Sequence, residues 1–265
     1  AIALGTRPMW DVLREAAARM RLRRGNGGGL LVRQVEWKCV LDSSGAVTVK
    51  KLDPFSAARE TVSELMIASG ILSGEYCESE GLPAVFRTQA PPDEPPDYPV
   101  DGLTDASELY ELFRTMKRAE MSTRPGSHYM LGARAYTQVS SPLRRFCDLV
   151  MHHQLKAYLR TGTPAWTERA LRAEISGVET SVRTRLKVER ERHRLRVLEL
   201  LESDPNQAIR GQVVRRLGKR HLVAILDLGI REACSLHGGV EVGDFVTLHV
   251  ETVSSRQNQL QLVHR

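Results

Sequence analysis

Aromatic side chains are scarce in this sequence, at 5% of its residues, so any platform for stacking flat ligands is sparse. No run approaches the ~18 consecutive apolar residues of a membrane-spanning helix. The opening Ala1-Ile2-Ala3-Leu4 is too short an apolar stretch to read as a signal peptide. The four cysteines, Cys39, Cys77, Cys147 and Cys234, lie far apart and match no zinc spacing. Reduced thiols in a reducing compartment are therefore expected, with Cys147 in the core. No internal repeat is present. The remaining composition, 42% hydrophobic and 26% charged over 265 residues, is that of a soluble globular protein with one large domain or two modest ones.

Positive charge is in excess, with 38 Lys+Arg against 32 Asp+Glu and a net charge of +6. This favours a polyanionic partner, and arginine, which supplies most of the charge, has a planar fork suited to phosphate. One stretch concentrates the question: Ser140-Ser141-Pro142-Leu143-Arg144-Arg145-Phe146-Cys147-Asp148. Ser141 is a good N-cap and Pro142 suits a first helical position. Apolar residues then recur at Leu143, Phe146, Cys147, Val150, Met151, Leu155, Tyr158 and Leu159, predicting a half-buried helix to about Arg160. Arg144 and Arg145 would then sit in a first turn that is already positive. Either they await an anion such as phosphate, or Arg144 pairs with Asp148 four residues on and Arg145 points to water.

Along the rest of the chain, Trp10–Arg24 patterns as a helix, with Val12, Leu13, Ala16, Ala17 and Met20 on one face and Arg14, Arg19, Arg21, Arg23 and Arg24 on the other. Alternation from Val35 to Leu41, a turn at Asp42-Ser43-Ser44-Gly45, and Val47 with Val49 predict a hairpin. A helix is expected from Ala57 to about Ile71, its buried face Val62, Leu65, Met66 and Ile67, with Glu60 and Glu64 one turn apart. Pro91–Asp97 is a connector, and helical patterning resumes over Ala106–Arg118. Trp166–Leu201 is helical, as one helix or two, and rich in arginine between Arg183 and Arg196. That surface is either solvated or faces nucleic acid. After Ser203-Asp204-Pro205-Asn206, five short strands are expected at Ile209–Arg215, Leu222–Leu228, Glu232–Leu236, Phe245–Val250 and Leu260–Val263. Five such strands fit a small OB-type barrel.

Three of these stretches together resemble the RNase II/RNase R (RNB) family of 3′-to-5′ exoribonucleases. Arg59–Ala68 with Leu82–Gln89 is similar to the family's glutamate-bearing helix and following strand. His128-Tyr129-Met130-Leu131-Gly132, then Tyr136-Thr137-Gln138-Val139-Ser140-Ser141-Pro142-Leu143-Arg144-Arg145-Phe146-Cys147-Asp148-Leu149, is similar to the family's “Y-T-x-x-T-S-P-I-R-R-Y-x-D-L” signature. The final barrel stands where the family carries an OB-type RNA-binding domain. The resemblance implies an α+β chain: residues 1–203 as the C-terminal part of an RNB catalytic domain of mixed helices and hairpins, and 204–265 as the barrel. It implies that Arg144 contacts the scissile phosphate, that Arg145 helps hold the backbone, and that Ser141 donates to phosphate. Glu64 resembles a glutamate near the terminal nucleotide, and Glu189 one near the RNA path. Tyr136 and His128 match motif positions, as core or as site residues.

Ser140, Phe146 and His153 are mild departures from the pattern, and Gly70 replaces a common Asn. The family's metal-binding “D-x-x-x-x-x-D-x-D-D” segment has no match. The one dense acidic run, Asp93, Asp97, Asp101 and Asp105, has different spacing and lies in and just beyond the proline-rich connector. Magnesium is thus expected for a complete enzyme, with its ligands outside this chain. Single-stranded RNA is the expected partner, without a membrane, in a monomer. The compartment is cytoplasmic for a bacterial source, and chloroplast or mitochondrion for a plant or algal one. The leading expectation is a part of a 3′-to-5′ exoribonuclease that is inactive alone. The alternatives are a non-catalytic RNA-binding protein without the metal site, and an adaptor whose arginine pair is structural.

Overall fold

A computed structural model describes residues 7–32, 35–41, 43, 45, 47–53, 56–96 and 103–264. They form two compact units. The first comprises residues 1–32, 55–101 and 116–183, and the second 33–54, 102–115 and 184–265.

In the first unit, α1 (Arg7–Asn26) lies against α2 (Ala57–Ser79). The face that α1 buries differs from the expected one. Ala17 is buried as predicted, but so are Arg21 and Arg24, at 8% exposure each, while Val12 is 66% exposed. The i, i+4, i+7 stripe Ala17-Arg21-Arg24 turns inward because Glu60 and Glu64 of α2 meet its charges. Arg21 Nε lies 3.3 Å from Glu60, and Arg24 Nη2 lies 2.7 Å from Glu64. A buried cation is tolerated only when so paired. The buried residues of α2 are likewise Thr61, Glu64, Gly70, Gly74 and Cys77 rather than the predicted apolar set, and Val62 is exposed.

Strand Phe86–Thr88 pairs antiparallel with Glu120–Ser122. Helices Phe146–Thr161 and Glu168–Ile175 complete the core of Cys77, Leu82, Val85, Phe86, Cys147, Val150, Met151, Leu171 and Ile175. Cys147 is a core residue, as expected. The long helical stretch is two helices, with the second at Val178–Ser203.

The second unit contains the hairpin Glu36–Leu41 with Val47–Leu52, the helix Ala106–Thr115, the C-terminal part of Val178–Ser203, and five strands. In chain order these are Ile209–Leu217, Arg220–Ile225, Ile230–Cys234, Phe245–Ser254 and Gln259–His264. Numbered one to five, they run 3-2-1-4-5 across one antiparallel sheet. Register shifts at Val213/Arg215 and Val250/Thr252 mark bulges that bend it. A bridge between Ser235 and Val263 nearly closes the barrel, which is of the expected OB type. Its core is filled by Val197, Leu198 and Leu201 with Val213, Val223, Ile225 and Leu248.

Candidate functional site

The arginine-pair stretch folds differently from the helix start that its sequence predicts. Residues 142–144 form a turn, the helix begins at Phe146, and Arg145, with φ −127° and ψ 114°, occupies the N-cap position. Ser141 therefore caps nothing. Its carbonyl accepts from Arg144 N–H at 3.2 Å and Arg145 N–H at 3.0 Å, closing the turn. Its own N–H donates to Asp148 Oδ1 at 2.7 Å. The two arginines precede the first helical turn, whose acidic residue is Asp148. Arg145 still stands at the positive end of the helix, and the Asp148 carboxylate in the first turn offsets that conflict.

Asp148 is the anchor of the turn, a role missed in the sequence. It is fully buried, and the same Oδ1 accepts from Arg145 Nε at 3.0 Å and Nη2 at 2.7 Å. The ion pair thus joins Arg145, not Arg144, to Asp148. Arg145 also donates to Ser140 Oγ at 2.8 Å. Arg144 is exposed, touches only Ser141 Oγ at 3.4 Å, and makes no ion pair among the described residues. One guanidinium is tied down and its neighbour is presented to solvent. Leu143, wholly exposed, and Phe146, 45% exposed, flank it.

Beneath the turn, the chain from Ala135 to Val139 runs beside Phe86–Thr88. Arg87 N–H donates to Tyr136 O at 2.8 Å, Thr137 Oγ1 to Val85 O at 2.6 Å, and His152 Nε2 lies 2.6 Å from Val139 O. The half-buried Tyr136 ring packs where a Cβ on Gly70 would come within 2.3 Å of it. Glycine at position 70 makes room for that ring. Burial raises the Tyr136 hydroxyl pKa. His128 meets Tyr136 edge-on, with ring centroids 5.8 Å apart. Burial, assisted by the Arg87 charge, pushes the His128 pKa down to about 4. His128 is a neutral ring at physiological pH, and its Nδ1 is buried with no partner among the described residues. Arg87 adds a charge to this cluster from outside the sequence-predicted site. Its charge acts on His128, Tyr136 and Cys147 together.

Glu64 is 3% exposed and held by Arg24 through both carboxylate oxygens, at 2.7 and 3.2 Å. Glu189 lies in the second unit, exposed on helix Val178–Ser203 and paired with Arg185 at 2.5 Å. Of the acidic run, Asp93 pairs with Lys117 at 2.6 Å, and Asp105 caps helix Ala106–Thr115 by accepting from Ser107 and Glu108 N–H. Asp97 and Asp101 lie outside the described residues. Among the described residues no group of three His, Cys, Asp or Glu is placed to hold a metal ion, and no helix is long and apolar enough to cross a membrane.

Known proteins resemble this chain along most of its length. The RNB domain matches residues 104–161. An uncharacterised ribonuclease of Synechocystis is 28% identical over 258 residues, covering 96% of this chain and 39% of its own length. Among solved structures, the Dss1 exoribonuclease of Candida glabrata superposes with a TM-score of 0.87 at 17% identity, over 100% of this chain and 36% of that one. RNase R of Mycoplasma genitalium, solved in complex with ribose-methylated single-stranded RNA, gives a TM-score of 0.79 at 14% identity, over 96% of this chain and 49% of its own. The chain thus spans less than half the length of each of these three proteins.

Proposed function

We propose, from the premise that this chain belongs to the RNB family, that it is the phosphate-gripping and strand-holding part of a 3′-to-5′ exoribonuclease acting on single-stranded RNA. The observation that carries this is the asymmetry of the arginine pair. Arg145 is committed to a buried carboxylate, and Arg144 stands exposed beside it without an ionic partner among the described residues. Arg144 would bind a non-bridging oxygen of the scissile phosphate and stabilise the negative charge that develops there. Ser141 Oγ, within reach of Arg144, would add a neutral contact to the same phosphate, and Arg145 would hold the turn that aims both. Tyr136 and His128 would form the neutral floor beneath the turn, and the barrel would hold the incoming strand by its backbone.

The family generally depends on a divalent metal, and we assign magnesium to the complete reaction. A guanidinium stabilises charge but does not generate a nucleophile, and the described residues do not fit a metal. No hydrolytic step is therefore ascribed to them. The expected behaviour of this chain is binding without cutting.

A 5′-labelled single-stranded RNA supplied with magnesium tests this. The chain should retain the RNA, with affinity falling steeply as salt is added because counterions are released from the phosphates. The RNA should not shorten. Stepwise shortening would refute the assignment of the metal ligands elsewhere, and salt-independent binding or no binding would refute the strand-holding role. The absence of a metal group among the described residues also favours a second reading, an RNA-binding protein without catalysis. In that case Arg144→Ala would lower affinity in proportion to one lost phosphate contact and no form of the protein would cut.

A further inference from the structure

The second unit contains a cleft of about 1060 Å³ between the hairpin Glu36–Leu41/Val47–Leu52, helix Ala106–Thr115, helix Val178–Ser203 and the second and third barrel strands. Every residue that lines it belongs to that unit. We propose that this cleft is a second nucleic-acid site, in which an unpaired base of a single-stranded RNA stacks on Trp37 while the flanking phosphates meet Arg190 and Arg192. The inference rests on the reading of the chain as RNA-handling and adds a location and an anchor residue to it.

Three observations converge. The first is charge. Seven Lys and Arg side chains line the cleft against Glu36 and Glu189. Glu189 is already neutralised by Arg185. Arg194 and Arg196 are paired with Glu232 and Glu199. Arg190 and Arg192 make no ion pair among the described residues. The cleft keeps a net positive charge that attracts an anionic occupant.

The second is aromatic surface. In a chain with few aromatic residues, Trp37, Tyr110 and Phe113 all line this one cleft. Trp37 backs onto Gly229, where a Cβ would come within 2.7 Å of the indole. Glycine there lets the ring lie flat against the barrel turn. Arg231 lies 5.1 Å over the Tyr110 ring. Flat rings beside cations are the elements of base stacking in sequence-tolerant single-strand binding.

The third is an unmet donor. Trp37 Nε1 is buried with no hydrogen-bond partner among the described residues. Such a group is rare in a settled core, and a small shift of the indole toward the cleft would let a base carbonyl or phosphate oxygen satisfy it. The volume exceeds what one small ligand needs and suits a short strand segment. The lining also carries apolar side chains such as Leu109, Leu186 and Ile230, but Arg190 and Arg192, exposed beside the aromatic rings, favour a phosphate-bearing strand over a protein segment.

The chain has three tryptophans, Trp10, Trp37 and Trp166, so Trp10→Phe with Trp166→Phe leaves Trp37 as the only indole reporter. Titration with a uridine 12-mer should quench its emission with the same midpoint as binding of the labelled oligonucleotide. Trp37→Ala should weaken binding about tenfold, Trp37→Phe should retain most of the affinity, and Arg190→Ala with Arg192→Ala should lower the salt slope by about two. Oligonucleotide binding with unchanged Trp37 emission, and with the affinity of Trp37→Ala equal to that of the parent, would overturn the site and leave RNA handling intact. No oligonucleotide binding by any form would overturn the underlying functional reading instead. Quenching by an acidic peptide and not by the oligonucleotide would assign the cleft to a protein partner and also overturn it.

Discussion

Replacing Asp148 with asparagine preserves the shape of the side chain and removes its charge. Asp148 is fully buried, and one of its oxygens collects three donors: the Ser141 N–H and two N–H groups of Arg145. Hydrogen bonds to charged groups contribute about 1.5–3 kcal/mol each, but three on one atom do not add. Breaking a buried ion pair outright costs about 3–5 kcal/mol. The Arg145 side chain is 26% exposed, so water recovers part of its solvation and the lower end applies. Alanine should therefore cost about 3 kcal/mol. Asparagine keeps a neutral acceptor and should cost about half of that. For a chain of this size the asparagine variant should melt about 3–6 °C lower, measured by circular dichroism. RNA affinity supplies the sign that separates two roles. Removing an acid raises the net charge, and if Arg145 were a free phosphate ligand, binding would tighten. If Asp148 holds the turn that aims Arg144, binding should weaken despite the added charge. An unchanged melting temperature together with tighter binding would refute the anchoring role.

Other consequences follow from individual contacts. His128 has a folded pKa of about 4 against an ordinary value of 6.5, so the unfolded chain binds its proton first on acidification. The stability held by its neutral burial is present above pH 6.5 and is lost between pH 6.5 and 4, by up to about 3 kcal/mol in all. Urea titrations should show this slope, and in His128→Phe it should flatten over that window. Gly70→Ala puts a methyl group into the Tyr136 ring and the Thr137 carbonyl. Overpacking should destabilise the chain by about 1–3 kcal/mol although alanine is the better helix former, and a gain in denaturant midpoint would contradict the close packing. Burial pushes the Cys77, Cys147 and Cys234 thiols up to about 11. Iodoacetamide at pH 8 should modify at most one thiol of the native chain, at Cys39, as counted by mass spectrometry, and all four after denaturation.

What could be read from the sequence was local. The hairpin and the barrel strands followed from alternation and turn residues a few positions apart, whereas the choice between one helix and two over Trp166–Leu201 stayed open until the structure placed a break between Glu168–Ile175 and Val178–Ser203. The strands' starts and ends fell within about three residues of expectation, except for the C-terminal end of the fourth strand, which runs on to Ser254. The errors share a cause of the opposite kind. Ser141 looked like an N-cap because its neighbours are the right types, yet Asp148, seven residues on, takes its N–H and moves the helix start to Phe146. Arg21 and Arg24 looked like a solvent face because the carboxylates that bury them lie about forty residues away on another helix. The i, i+3 spacing of Arg145 and Asp148 was a visible signal for the pair that forms, no weaker than the i, i+4 spacing of the one that does not.

The same distinction bears on Glu64. Its resemblance to a nucleotide-contacting glutamate comes from its place in a motif, but its chemistry here is set by partners outside that motif. Both of its oxygens are occupied by Arg24, Arg21 stands 3.9 Å from one of them, and the side chain is almost wholly buried. Each oxygen still has a lone pair, so to accept from a ribose hydroxyl Glu64 would have to share an oxygen with Arg24 and become accessible, at a cost of the order of a charged hydrogen bond. Two roles are compatible with that cost. Glu64 can lend one lone pair while remaining paired, or it can serve only to hold α1 on α2. Glu64→Gln separates them. The amide keeps the shape and an oxygen acceptor while weakening the hold on Arg24, so a holding role should lower stability by about 2 kcal/mol and leave RNA affinity alone. A contacting role should lower affinity for RNA with a free 3′-terminal ribose and spare an oligonucleotide whose terminal hydroxyls are blocked. Unchanged stability together with unchanged affinity for both RNAs would refute both roles and remove Glu64 from the site.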